Sequence, residues 1–110
     1  MIRFIYVAGA YTAPTPAQVE ANVAAAIDAG ARLIAAGLCP FIPHLSHYVR
    51  LFPYETWMAL DFAWIERCDA LLRLPGASRG ADREADHARA LGLTIFNDID
   101  LLLAATERAP

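Results

Sequence analysis

Apolar residues in this chain fall into short dense runs, and longer stretches of helical spacing separate them. Residues 2–8 form a β-branched and aromatic run closed by Gly9, which predicts a buried strand ending in a tight turn. Thr15, Pro16 and Gln18 then combine an N-cap hydroxyl, a proline at the first helical position and a glutamine three residues after the cap. A helix is expected from there, with Val19, Val23, Ala26, Ile27, Gly30 and Ile34 on one face and Gly37 as its stop. Residues 38–42 have room for a short strand only, and Pro40 within it removes a ladder donor and favours a sheet edge. A long loop is expected over residues 43–54. Trp57, Leu60, Asp61, Trp64, Ile65 and Cys68 make the next helical stripe, and residues 70–74 the next strand, stopped by Pro75 and Gly76. A third helix over about residues 80–90 carries Ala81, Ala85 and Ala88 on one face. Residues 93–96 close the series as a last strand before a short terminal helix.

Strand and helix alternate throughout, with short connections and near-continuous apolar strands. That order predicts an α/β protein, a single flavodoxin-like three-layer domain over residues 1–110 with a parallel sheet of four to five strands. In such a fold ligands bind at the carboxyl ends of the strands, near the switch in strand order. The rule selects residues 9–12, 43–54 and 75–84.

Composition narrows the classes of function. At 110 residues and 57% apolar, the chain is small enough that packing against a second copy is expected to help it, so a homodimer or higher homo-oligomer is anticipated. The net charge of −3, with arginines scattered along the chain, offers no basic stripe for a phosphate backbone, which argues against nucleic acid as a partner. No run reaches the roughly 18–20 apolar residues of a bilayer span, and no charged leader with a cleavage site opens the chain. Cys39 and Cys68 sit in apolar surroundings and read as reduced thiols, which suits the cytoplasm.

Asp61 is the sharpest anomaly, because it coincides with the apolar stripe of its helix. Either desolvation raises its pKa and makes it a proton donor near neutral pH, or the stripe's edge lets it reach solvent or an arginine. Glu84, near the start of the third helix, faces the same side as that helix's alanines and lies beside the strand-end crevice. Acidic residues in a first turn also simply complement the helix dipole, so Asp82 and Glu84 remain open between the two readings. Ser78, Arg79 and Gly80 connect strand to helix, where N–H groups and a hydroxyl hold an anion or merely start the helix. His44 and His47 lack the spacing of zinc signatures, so no metal and no other cofactor is expected. His87 reads as a solvated helix residue. No Walker, dinucleotide or serine-elbow motif is present.

These residues also carry a resemblance. Residues 5–9 (Ile5, Tyr6, Val7, Ala8, Gly9) resemble the opening strand motif of the nucleoside 2-deoxyribosyltransferase-like superfamily, which includes the deoxynucleoside 5′-monophosphate N-glycosidases. Residues 61–69, beginning Asp61 and containing Trp64, Ile65 and Asp69, look like its Asp-x-x-Trp-Leu-x-x-Ala-Asp segment. Residues 78–84 look like its Ser-x-Gly-x-x-x-Glu segment, in the same order and spacing. Residues 43–46 and 68–76 are most similar to a short branch of that superfamily. Ala10 departs from it, standing where many relatives have proline.

The resemblance implies that Glu84 is a nucleophile, Asp61 an acid or substrate-orienting carboxylate, and Tyr6 the phenol that positions Glu84. The resemblance also makes Ser78 a ligand contact, and the strand-end segments and neighbouring helix add Gly9, Tyr11, Thr12, His44, His47, Trp57 and Gly80 as expected contacts to a small-molecule nucleoside or nucleotide. The implied chemistry is that of retaining glycosidases, cleaving the N-glycosidic bond of a (deoxy)nucleoside 5′-monophosphate through a glycosyl-enzyme intermediate on Glu84. Transfer of deoxyribose between bases, or a nucleotide sensor that cleaves nothing, are the alternatives.

Overall fold

The computed structural model describes residues 1–49 and 52–106, the side chains of His47 and Tyr48 excepted. Its elements are β1 (Phe4–Ala8), α1 (Pro16–Ala35), β2 (Cys39–Phe41), a 3₁₀ helix (Pro43–Tyr48), α2 (Tyr54–Ile65), β3 (Ala70–Arg73), α3 (Arg79–Ala90), β4 (Thr94–Phe96) and α4 (Ile99–Thr106). The described strands form one all-parallel sheet of four, in the order β2-β1-β3-β4. This is the flavodoxin-like arrangement expected from the alternation of strands and helices. β2, with Pro40 at its centre, lies at the edge, where a strand tolerates a missing donor.

β1 and β3 are apolar on both faces because helices cover both. Ile5, Val7, Ala70 and Leu72 point to the side where Ala26, Ala29 and Leu33 of α1 and Leu102 of α4 pack. Tyr6, Ala8 and Leu71 point to the other side, against Ile65 of α2 and Ala81, Ala85 and Ala88 of α3. Alanines at the α3 contact let that helix approach the sheet closely, which places its first turns beside the ends of β1 and β3.

The start of α1 follows the sequence. Thr15 Oγ1 accepts from the Gln18 N–H at 3.2 Å while Gln18 Oε1 accepts from the Thr15 N–H, a reciprocal cap on two otherwise orphaned donors. Its buried face differs in part from the expected one, however. Val23, Ala26 and Gly30 face the core as expected and are joined there by Ala29 and Leu33, whereas Ile27 and Ile34 are 42% and 61% exposed. Gly30 decides the rotation: a Cβ there would lie 2.2 Å from Ile42 Cδ1, so this side of α1 is the one pressed against the chain after β2. Eight alanines within an alanine-rich helix give little contrast between faces, and the isoleucines misdirect.

α2 differs in the same way. Met58 and Ile65 are buried, whereas Leu60 and Trp64 are 45% and 43% exposed. The expected loop over residues 43–54 begins as a 3₁₀ helix, stabilised by Ser46 Oγ donating to the Pro43 carbonyl at 2.7 Å. His87 is less solvated than expected: its ring stacks on Phe62 at 4.2 Å and Nε2 lies 3.2 Å from Glu66 Oε2. Asp69 caps the beginning of β1, accepting from the N–H groups of Arg3 and Phe4 at 2.9 Å each, at the opposite end of the sheet from the helix starts. Cys39 and Cys68 are free and half-buried, and burial pushes the Cys68 thiol up to about 11. No helix among the described residues is long and apolar enough to cross a membrane.

Candidate functional site

The chain leaves β1 toward β2 on one side and toward β3 on the other, so the carboxyl ends of β1 and β3 part their loops and open a crevice. There the structure holds a cleft of about 980 Å³. Gly9, Tyr11 and Thr12 line it from the turn after β1, His44 from the 3₁₀ helix, Trp57 and Asp61 from α2, and Ser78, Gly80 and Glu84 from the start of α3. All three segments selected by the strand-end rule therefore meet at one place. The His47 side chain lies outside the described residues.

Local structure accounts for each placement. Gly9 brings the turn after β1 against β3, since a Cβ there would come within 2.9 Å of Leu74 Cδ1. Ser78 is the N-cap of α3, its Oγ accepting from the Ala81 N–H at 3.1 Å, so the free N–H groups of the first turn open toward the cleft. Glu84 falls on the inner side of α3 with Ala81, Ala85 and Ala88 and is buried.

Glu84 meets two partners there. The Tyr6 hydroxyl, projecting from β1, donates to Glu84 Oε2 at 2.8 Å. Asp61, from α2, shares hydrogen bonds with both Glu84 and Tyr6. The two carboxyl groups thus meet one another and a common phenol, and do not stand apart across an open gap.

Such a cluster cannot be fully ionised. Burial pushes the Glu84 carboxyl well above the usual carboxylate range, and the neighbouring Asp61 pushes it further. Burial also raises Asp61, against the hydrogen bonds from Glu84 and Tyr6 and the field of His44, which favour its charged form. Desolvation, followed by the charges of Glu84 and Asp61, keeps the Tyr6 phenol protonated at any working pH. Burial thus pushes both carboxyl groups toward their protonated forms, and the two titrate as a coupled pair.

His44 is buried, and Nε2 sits 3.0 Å from the Ala10 carbonyl. A carbonyl only accepts, so Nε2 carries the proton; burial lowers the pKa and keeps the ring neutral. Nδ1 is then an acceptor, and among the described residues nothing donates to it. Tyr11 meets the same ring edge-on, with centroids 6.3 Å apart.

Some lining residues were not among the expected contacts. Phe52, Tyr54, Glu55, Met58 and Arg83 also face the cleft. Glu55 and Arg83 pair in two contacts of 3.2 and 3.3 Å, and the Arg83 guanidinium lies 5.6 Å over the Tyr54 ring. Their spacing across two helices is tertiary and has no sequence signature. Among the described residues no three His, Cys, Asp or Glu side chains converge as a metal would need.

Comparison with known proteins agrees with the fold. The structure is similar to a 2-desoxiribosyltransferase from Leishmania mexicana, with a TM-score of 0.63 and 22% identity over 84% of this chain and 61% of that one. It is also similar to the solution structure of BlsM, with a TM-score of 0.55 and 18% identity over 94% of this chain and 86% of that one. The chain spans about three fifths of the length of the Leishmania protein. No curated protein matches the sequence. A family model described as a domain of unknown function, DUF4406, matches residues 3–97. The chain therefore belongs to the DUF4406 family and shares its fold with these two structures.

Proposed function

We propose that the protein cleaves the N-glycosidic bond of a (deoxy)nucleoside 5′-monophosphate through a glycosyl-enzyme intermediate on Glu84. The observation that carries this reading is the Tyr6–Glu84–Asp61 cluster at the strand-end cleft, in which the phenol donates to Glu84 and burial raises both carboxyl groups. In the productive form a proton is on Asp61 and Glu84 is ionised, held by the Tyr6 hydroxyl. A Glu84 oxygen bonds to the anomeric carbon as the bond to the base breaks, and the departing nitrogen takes its electron pair and the Asp61 proton. Water then attacks the same carbon and releases Glu84, its proton returning to Asp61. The sum is addition of one water, giving free base and sugar phosphate.

The cleft has two chemically distinct ends. Tyr11, His44, Phe52 and Trp57 offer flat apolar surface for a base, and the Ser78–Gly80 turn offers a hydroxyl, N–H groups and the positive end of α3 for a phosphate. Both kinds of wall support a nucleotide ligand over nucleic acid. A second reading is transfer of deoxyribose to another base; the Leishmania protein of similar fold bears the name of such an enzyme.

Incubation with a panel of deoxynucleoside and ribonucleoside monophosphates, followed by chromatography for free base, tests the proposal. Base release by the wild type and none by Glu84→Ala is the expected result. Equal behaviour of the two overturns it. Appearance of a new nucleoside only when a second base is added would favour transfer, and tight binding with no release would leave a sensor.

A further inference from the structure

Arg73 ends β3, opposite Ala8 of β1 in the sheet register, and it is not part of the cleft wall. Its side chain is only 12% exposed. A guanidinium held so far from water needs its donors satisfied, and here they are divided among three acceptors on two structural elements. Nη1 donates to the Leu74 carbonyl, and Nη2 donates to the Gly76 carbonyl at 2.9 Å and to Asp82 Oδ1 at 3.1 Å. Leu74 and Gly76 belong to the turn that leads into Ser78; Asp82 lies in the first turn of α3.

That turn is held at its start by the Leu74 N–H, which donates to the Ala8 carbonyl at 2.7 Å, and by Leu74 packed against the core; beyond Leu74 the constraints thin out. Gly76 has φ of 113°, a conformation that L side chains rarely adopt, and no Cβ there would meet anything within 4 Å. Between Leu74 and the Ser78 cap, the arginine fork ties the turn back to the strand and across to α3. Its base is in turn the surface on which Gly9 rests, through Leu74. One guanidinium therefore touches both the Gly76 turn and the residue against which the Gly9 turn rests.

We infer that Arg73 is a positioning residue, whose guanidinium holds the turn between β3 and α3 and sets a fixed positive charge at the end of β3 against the first turn of α3, the helix that carries Glu84. Tyr6 from β1 and Asp61 from α2 are the groups nearest Glu84, Arg73 at the end of β3 reaches it only through its field, and His44 acts through Asp61. Of these charges Arg73 is the one that favours ionised Glu84, against burial and Asp61. Asp82, largely exposed, offsets part of that charge. The catalytic consequence rests on the function proposed above; the electrostatic one does not.

The experiment uses the full chain with Arg73→Met, Arg73→Lys and Asp82→Asn. The Glu84 carboxyl carbon is followed by NMR against pH without ligand, and base release is measured against pH where the wild type is active. Arg73→Met is expected to move the Glu84 titration upward by about one pH unit, the lower end of what a nearby opposite charge does. Arg73→Lys returns the titration toward wild type yet raises KM about tenfold, because an ammonium cannot span the three acceptors. Asp82→Asn unmasks the arginine and moves the titration downward, and it keeps the test alive if Arg73→Met fails to fold. A folded Arg73→Met or Asp82→Asn with the wild-type titration overturns the inference. Shifted titrations in a protein that releases no base would leave Arg73 in this role and remove the proposed reaction instead.

Discussion

Glu84 has the same energetic problem whether or not it reacts: the folded protein holds its proton at a pH where the unfolded chain has released it. The folded pKa lies above the ordinary Glu value of 4.5, so the stabilising difference is complete below that value and is lost as pH rises toward the folded pKa. Asp61 shifts in the same direction and adds to the slope. Each pH unit in this window costs about 1.4 kcal/mol for one such group. Urea titrations between about pH 5 and 8 are therefore expected to show wild-type stability falling with pH, and Glu84→Gln flattening the curve, with a gain of about 1–3 kcal/mol near pH 8. Wild type and variant with parallel curves would contradict the buried, protonated pair. Tyr6→Phe removes a hydrogen bond that holds the reactive carboxyl, so base release should fall about a hundredfold while the fold persists. These residues were unequally legible. Asp61 announced itself as a carboxylate within an apolar stripe, but Glu84 was one of two acids at a helix start, and its burial depends on which way α3 turns. Tyr6 is only another aromatic residue in a buried strand, and nothing but the resemblance to a known motif separated it from Phe4.

The helix caps show how a short sequence pattern becomes a part of the site. Ser78 both caps α3 and forms the phosphate end of the proposed cleft, and two substitutions separate these roles. Ser78→Ala loses the cap and should cost about 1 kcal/mol in thermal or urea unfolding, with a moderate loss of nucleotide affinity. Ser78→Asp restores a good cap and so keeps stability within about 0.5 kcal/mol, but it sets a negative charge where an anion is to bind. Its KM for a nucleoside monophosphate should rise more than tenfold, with little change for the nucleoside lacking phosphate. Equal effects on both substrates would place the phosphate elsewhere. The caps and strand order were readable because a capping box or a Pro-interrupted edge strand is a local pattern with a local physical cause. The helix faces were not. In α1 the alanines that pack were outweighed in the pattern by Ile27 and Ile34, which do not, and only the contact between Gly30 and Ile42 fixes the orientation.

At the scale of the molecule, α2 is the element with two allegiances. Met58 and Ile65 pack inward and Asp61 faces the cleft, yet Leu60 and Trp64 remain largely exposed, flanked by exposed Ala59 and Ala63. A helix that is apolar nearly all round is ordinarily covered on every side. Trp64 also stacks on Phe41 of the edge strand, ring centroids 4.7 Å apart, so the uncovered surface continues from α2 onto β2. Small and large side chains in alternation, Ala59, Leu60, Ala63 and Trp64, suit close packing of one helix on its copy about a twofold axis. The expectation is a homodimer through α2: light scattering at about 50 µM should give twice the chain mass, because an apolar helix face of this kind is stable only when covered. Leu60→Glu together with Ala63→Glu should yield a monomer that still folds, since neither side chain is buried within the chain. Neither Leu60 nor Ala63 lines the cleft, so this monomer should keep its base-release activity per chain while losing several degrees of thermal stability from the uncoupled association. A wild type that runs as a monomer at that concentration would leave the α2 surface without its second copy.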